Sequence, residues 1–170
     1  MDKEEIQEVL EQHKLWVDSR REEGKWADLR GFNLKGADLS QADLREANLY
    51  RADLRRADLK KANLKKAILS EAILSGANLS GADLREANLR EANLNGANLS
   101  GADLSQAYLY TANLIKAKLS GADLSRANLW GADLRLANLR VVSAKNCRIK
   151  HAKFSSKADK AQLMLLGAIN

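Results

Sequence analysis

A chain of 170 residues suits one domain, and its composition excludes several classes at once. Hydrophobic residues reach 45%, but alanine and leucine supply most of it, and with three Trp, three Tyr and two Phe there is no mixed core of the usual kind. The formal charge of +6 leaves nucleic acid or an anionic surface open as a partner, while a single cysteine, Cys147, excludes an internal disulfide framework and suits a reducing compartment. No apolar run approaches the roughly 18 residues of a membrane span, and the acidic N-terminus has no apolar stretch of the signal-peptide kind, so a soluble cytoplasmic protein is expected.

The first element is helical. Asp2 followed by Glu5 spells a capping box, and Ile6, Val9, Leu10, His13 and Val17 recur at helical spacing with Trp16 beside them. This predicts an amphipathic helix over about residues 3–19, with Gly24 as its stop, inside a cap of residues 1–24.

From Ala27 the sequence reads A-(D/N)-L-x-x with a period of five. Leucine holds every fifth position from Leu29 to Leu139, 23 repeats without a gap, and the register runs on through Ala144, Ile149 and Phe154 to 26. Alanine stands two positions earlier except at Phe32, Val142 and Cys147. Five residues on an α-helix advance about 500°, so the leucines would wander around the axis. On a strand an odd period sends successive leucines to opposite faces. A chain that turns a corner every five residues buries them all. Four sides close a coil of about 20 residues, and stacked coils pair their backbones at roughly 4.8 Å, so residues 25–156 make about 6.5 coils and a rod of about 30 Å. The reading is an all-β solenoid with Leu and Ala inside. The outer Asp or Asn is expected at the corner, bonding nearby amides.

The segments ADLSQADLREANLYRADL (37–54) and ANLSGADLREANLREANLNGANL (77–99) resemble the pentapeptide repeat family, over about 128 of the 170 residues. The resemblance implies a right-handed quadrilateral β-helix with short helical caps. HKLWV (13–17) leading into EGKWADLRG (23–31) is similar to the lead-in of bacterial, especially cyanobacterial, members.

At the far end the repeat degenerates through Val142, Ala144, Cys147, Ile149 and Phe154. Residues 158–167 then read as a short helix within a C-terminal cap, 157–170. Its Leu163, Leu165 and Leu166 either close the solenoid or make a dimer contact, the latter implied by the gyrase-protecting branch of the family, so the chain is expected as a monomer or as a homodimer through this end.

Nothing in the pattern assembles a catalytic centre, and no cofactor or metal is expected. His13 and His151 fall at opposite ends of the rod, Cys147 takes an inward alanine-type position, and the Asp residues are explained by the repeat. Function is therefore expected on the outer faces. Residues twenty apart share a face, and the face centred on Leu29, Leu49, Leu69, Leu89, Leu109, Leu129 and Ile149 collects Tyr50, Tyr108, Tyr110 and Trp130, which are all the tyrosines and one of the three tryptophans. Ile115 and Leu136 lie close by on the next side. Such a cluster reads either as an anchor for another protein or as a ladder that steadies neighbouring coils.

The cations Arg51, Arg55, Arg56, Lys60, Lys61, Lys65 and Lys66 fall within one coil but on all four sides, a belt of which nucleic acid would touch only part. A second group, Arg140, Lys145, Arg148, Lys150, Lys153, Lys157 and Lys160, lies near the C-terminus. The favoured function is a rigid, non-catalytic scaffold binding an unidentified protein. A gyrase-directed DNA mimic, which needs an acidic rod, and a weak electrostatic nucleic-acid binder stand behind it.

Overall fold

The computed structural model describes residues 2–140 and 142–169. Two helices, α1 (Lys3–Asp18) and α2 (Lys157–Leu165), flank a coiled chain held by single parallel bridges. Each bridge joins a residue to the one twenty further on, from Asp28↔Asn48 without a gap to Asp133↔Lys153, so four five-residue sides complete each turn. Among the described residues no helix is long and apolar enough to cross a membrane.

The repeat is a complete solution to the backbone's hydrogen-bonding demand. In one side, Asn128 N–H donates down to Ala107 O (2.9 Å), while Leu129 and Gly131 donate up to Arg148 O (2.8 Å) and Lys150 O (3.0 Å). Ala132 N–H closes the corner onto Leu129 O (3.0 Å). The remaining amide, on Trp130, reaches no carbonyl; Asn128 Oδ1 accepts it at 3.1 Å. That fifth bond explains the Asp or Asn. These residues do not sit at the corner, as the periodicity led us to expect. They occupy the flat of each side, pointing out between an inward Ala and an inward Leu, and reach forward to the corner amide. The corner belongs to the last two repeat positions, the second of which takes a positive φ such as +67° at Gly131 and +61° at Leu136. Glycine enters that region freely, which accounts for its recurrence there.

Ala and Leu fill the interior. From Ala47 to Ala132 every residue at these two positions is at most 1% exposed. Each buried leucine contributes about 1.5–3 kcal/mol of transfer free energy, which is how so narrow a core holds.

The helix α1 begins with the capping box, Glu5 N–H donating to Asp2 Oδ1 and Asp2 N–H to Glu5 Oε2, both 2.9 Å. It ends at Asp18, well before Gly24, with Arg20 and Arg21 already at positive φ. Gly24 acts through close approach instead: a Cβ there would lie 2.2 Å from Gln12 O and 2.7 Å from Trp16 N. The helix is fastened to the first coil by His13, which is fully buried. Ala27 N–H donates to its Nδ1 (3.0 Å), so Nε2 carries the proton and donates to Arg45 O (3.0 Å). Elsewhere in the rod the matching amide closes the preceding corner, as Ala132 N–H does onto Leu129 O, and the matching carbonyl accepts from the coil below, as Lys150 O does from Gly131. Trp26 Nε1–H adds a bond to Glu46 O at 2.9 Å.

At the other end Ser156 and Asp159 form a second capping box. The helix stops at Leu165, two residues short of the expected 167, because Gly167 at φ +91° reverses the chain. The strand-like return then bonds to the last coil through Ile169 N–H to Cys147 O (2.7 Å) and Ile149 N–H to Ile169 O (2.9 Å). Leu163 is fully buried, whereas Leu165 is 88% and Leu166 39% exposed. The three leucines do not act together: one plugs the core and two face outward.

Candidate interaction face

The aromatic face resolves into three different arrangements. Tyr110 and Trp130 stack plane on plane, 4.5 Å between centroids at 0°, one coil apart on the same corner. The Arg90 guanidinium lies 5.4 Å from the Tyr110 ring, and His151 meets Trp130 edge-on at 5.1 Å, so the stack runs from Arg90 to His151. Both inner rings are half-buried and show their edges to solvent. Tyr50 lies far down the rod; its hydroxyl donates to Glu71 Oε1 at 2.9 Å and Arg51 covers its ring. Tyr108 is unlike either. It occupies the flat of its side, 52% exposed, with no side-chain hydrogen bond among the described residues. Ile115 is half-buried on the next side and Leu136 is 63% exposed.

Tyr108 also departs from the repeat. Between Asp28 and Asn138 the Asp/Asn position is filled otherwise only by Ile68, Ile73, Tyr108 and Lys118. Every Asp or Asn in that span accepts the corner amide two residues on, as Asn88 does from Arg90 (3.2 Å) and Asp123 from Ser125 (2.8 Å). At the four departures, no acceptor takes that amide among the described residues. A hydrogen bond of this kind contributes about 0.5–1.5 kcal/mol, so the repeat's own stability disfavours a tyrosine at 108. Sequence reasoning grouped Tyr108 with Tyr110 and Trp130 by type; its signal is the missing Asp/Asn.

Models of the family described as pentapeptide repeats match residues 25–60, 52–90, 87–126 and 122–156. The chain belongs to the pentapeptide repeat family. No curated protein is detectably similar. Among solved structures, the pentapeptide repeat protein HetL of the cyanobacterium Nostoc sp. strain PCC 7120, involved in heterocyst differentiation regulation, is 34% identical over 76% of this chain and 69% of its own, with a TM-score of 0.42. A thylakoid-lumen pentapeptide repeat protein of Arabidopsis thaliana is 30% identical over 67% and 69%, at 0.40. The plasmid-mediated fluoroquinolone resistance protein QnrB1 is 22% identical over 78% and 84%, at 0.29. Overlays this loose say nothing about what the chain binds.

Charge on this pentapeptide repeat rod is largely settled within single repeats. Where Arg follows Asp-Leu, it folds back onto the Asp: Arg30 onto Asp28 and Arg135 onto Asp133 at 2.6 Å, with Arg45, Arg55 and Arg85 alike. Hydrogen bonds from those guanidiniums hold the carboxyls of Asp28, Asp53 and Asp133 below the usual range. Within the expected cationic belt, Arg51 pairs with Glu71, Arg55 with Asp53, and Lys65 and Lys66 with Glu86. Arg56, Lys60 and Lys61 alone keep free charge there among the described residues. The belt is mostly self-neutralised.

The Cys147 thiol is buried, and burial pushes its pKa up to about 12. We expect native protein to resist a thiol-specific reagent at pH 8 and to react fully once denatured; rapid native labelling would show that the last coil opens. No cluster of His, Cys, Asp or Glu among the described residues is arranged to hold a metal.

Proposed function

We propose that the chain is a right-handed, four-sided β-solenoid of about 6.5 coils, closed by a helix at each end, and serves as a rigid non-catalytic module that binds another protein through the side centred on Tyr108. The observation that carries this reading is the tyrosine's cost to the repeat. A large exposed ring stands where Asn or Asp would satisfy a corner amide, and Tyr is a favoured anchor at protein interfaces. The Tyr110–Trp130 stack beside it supplies a stiff flank, and Leu136 and Ile115 extend the apolar surface. A DNA mimic would need an acidic rod, whereas here the outward carboxylates are repeatedly bonded to arginines and the net charge is positive.

Tyr108→Asn separates function from stability. The substitution restores the acceptor for the Tyr110 amide, so unfolding should become harder by about 0.5–1.5 kcal/mol. Capture of partners from native cell extract should fall at least about tenfold, the loss of one interface anchor. The double change Tyr110→Ala/Trp130→Ala should also reduce capture, and it removes a stacking term of about 0.5–1.5 kcal/mol while leaving the rod folded. Undiminished capture by both variants would end the proposal for this face.

A further inference from the structure

The two ends of the rod are oppositely charged and unlike in shape. Residues 2–23 carry eight carboxylates against four Lys or Arg, whereas residues 140–160 carry seven Lys or Arg against Asp159 alone. On α1, Glu4, Glu8 and Glu11 are exposed and make no ion pair among the described residues. None of the seven C-terminal cations does either.

Each end also keeps something uncovered. Beside α1 a groove of about 640 Å³ opens between the helix and the first coil, with Ile6, Leu10, Leu34 and Ala37 in its lining. Along it the first coil keeps an unused β-edge, since neither the amide nor the carbonyl of Asn33 and Asp38 is bonded to backbone among the described residues. At the opposite end, Leu165 is 88% exposed, with Met164 at 42%, Leu166 at 39% and Ile169 at 45% around it. One end is acidic and grooved; the other is basic and carries an apolar knob.

We infer that the acidic, grooved end of one rod docks the basic C-terminal end of a second copy, head to tail. Charge selects this pairing over the alternatives. Two C-terminal ends brought together would oppose two strongly basic clusters, and two N-terminal ends two acidic ones, and like charges in contact disfavour association. Only the head-to-tail arrangement places Glu4, Glu8 and Glu11 against the cations of the last coil while covering Leu165. Such an interface is heterologous and does not close on itself, so it extends into linear rows of rods. It uses the ends and leaves Tyr108 on the side free, and so stands independently of the proposed function.

The test blocks one end at a time. Sedimentation velocity of the 170-residue chain should show mass rising with concentration beyond a dimer, and association weakening as added salt screens the end charges. Leu165→Glu blocks the tail, and Glu4→Lys/Glu8→Lys/Glu11→Lys blocks the head; all four positions are exposed, and circular dichroism checks that each variant is folded. Each variant alone should associate at least about tenfold more weakly than wild type. Mixed, they should form a 1:1 dimer and stop, because one retains a working tail and the other a working head. Self-association of the head-blocked variant would mean tail-to-tail pairing, and of the tail-blocked variant head-to-head pairing; either overturns the inference, as does wild type that stays monomeric at millimolar concentration.

Discussion

Replacing Leu94 with alanine should destabilise the rod by about 2–5 kcal/mol, the range for emptying a fully buried leucine site, and lower its melting temperature by roughly 5–15 °C. Leu94 is 0% exposed, and its coil is bridged through Asn93 to Ile73 below and Asn113 above, so the leucines on both neighbouring coils lose contact. The tube cannot collapse to fill the gap, because every side is held by ladder bonds at fixed length, among them Leu94 N–H to Asn113 O at 2.8 Å. Leu29, in the first coil, has a coil on one side only, and alanine there should have a smaller effect. Aspartate at 94 would bury an unpaired carboxylate and should leave no folded protein in the soluble fraction. Thermal unfolding followed by circular dichroism makes the comparison. A Leu94→Ala change no more damaging than one at the half-exposed Ser100 would mean the interior is not close-packed.

Removing the His13 side chain should free α1 from the rod. In His13→Ala the Ala27 amide and the Arg45 carbonyl both lose their partners, at about 1–3 kcal/mol for each group left buried and unpaired. The same bolt is sensitive to acid. Burial lowers the pKa of His13 below that of a free imidazole; the hydrogen bond to the Arg45 carbonyl and the charges of Asp43 and Glu46 oppose the shift, and the Arg45 guanidinium adds to it. Because Nδ1 must accept from Ala27, the folded state needs the neutral ring. The unfolded chain binds the proton first, at a pKa of about 6.5, so the stabilisation is complete above that value and is lost as pH falls below it. The protection of the Ala27 amide, its exchange rate set against the intrinsic rate at each pH, should therefore fall between about pH 6.5 and 5, before most carboxylates titrate. His13→Gln should remove this dependence. Protection that stays flat over the window in wild type would show that the ring is not what seals the first coil.

Much of this could be read from residue order because the repeat's contacts are local in a special sense. Leu89 meets the coils of Leu69 and Leu109 at the same offset at which Leu94 meets its own neighbours, so one spacing specifies the whole interior. The Asp/Asn column was visible as well, but its place was misjudged. A side chain that bonds a corner amide need not stand on the corner, and only the run of backbone bonds from Asn128 to Ala132 separates the two. His13 was legible as part of a helical stripe and no more, since its partners, Ala27 and Arg45, are fourteen and thirty-two residues away and obey no repeat.

The sequence by itself determined the bend every five residues, the inward Leu and Ala, and the gathering of Tyr50, Tyr108, Tyr110 and Trp130 on one side, because a strict period turns chain position directly into spatial position. Only the tertiary structure decided that Tyr110 and Trp130 spend their faces on each other while Tyr108 stands free, that Leu163 is a plug and Leu165 a knob, and which cations remain unpaired. Those outcomes depend on how individual side chains turn across a gap of one coil, and on ends where the period stops and its translation into space stops with it.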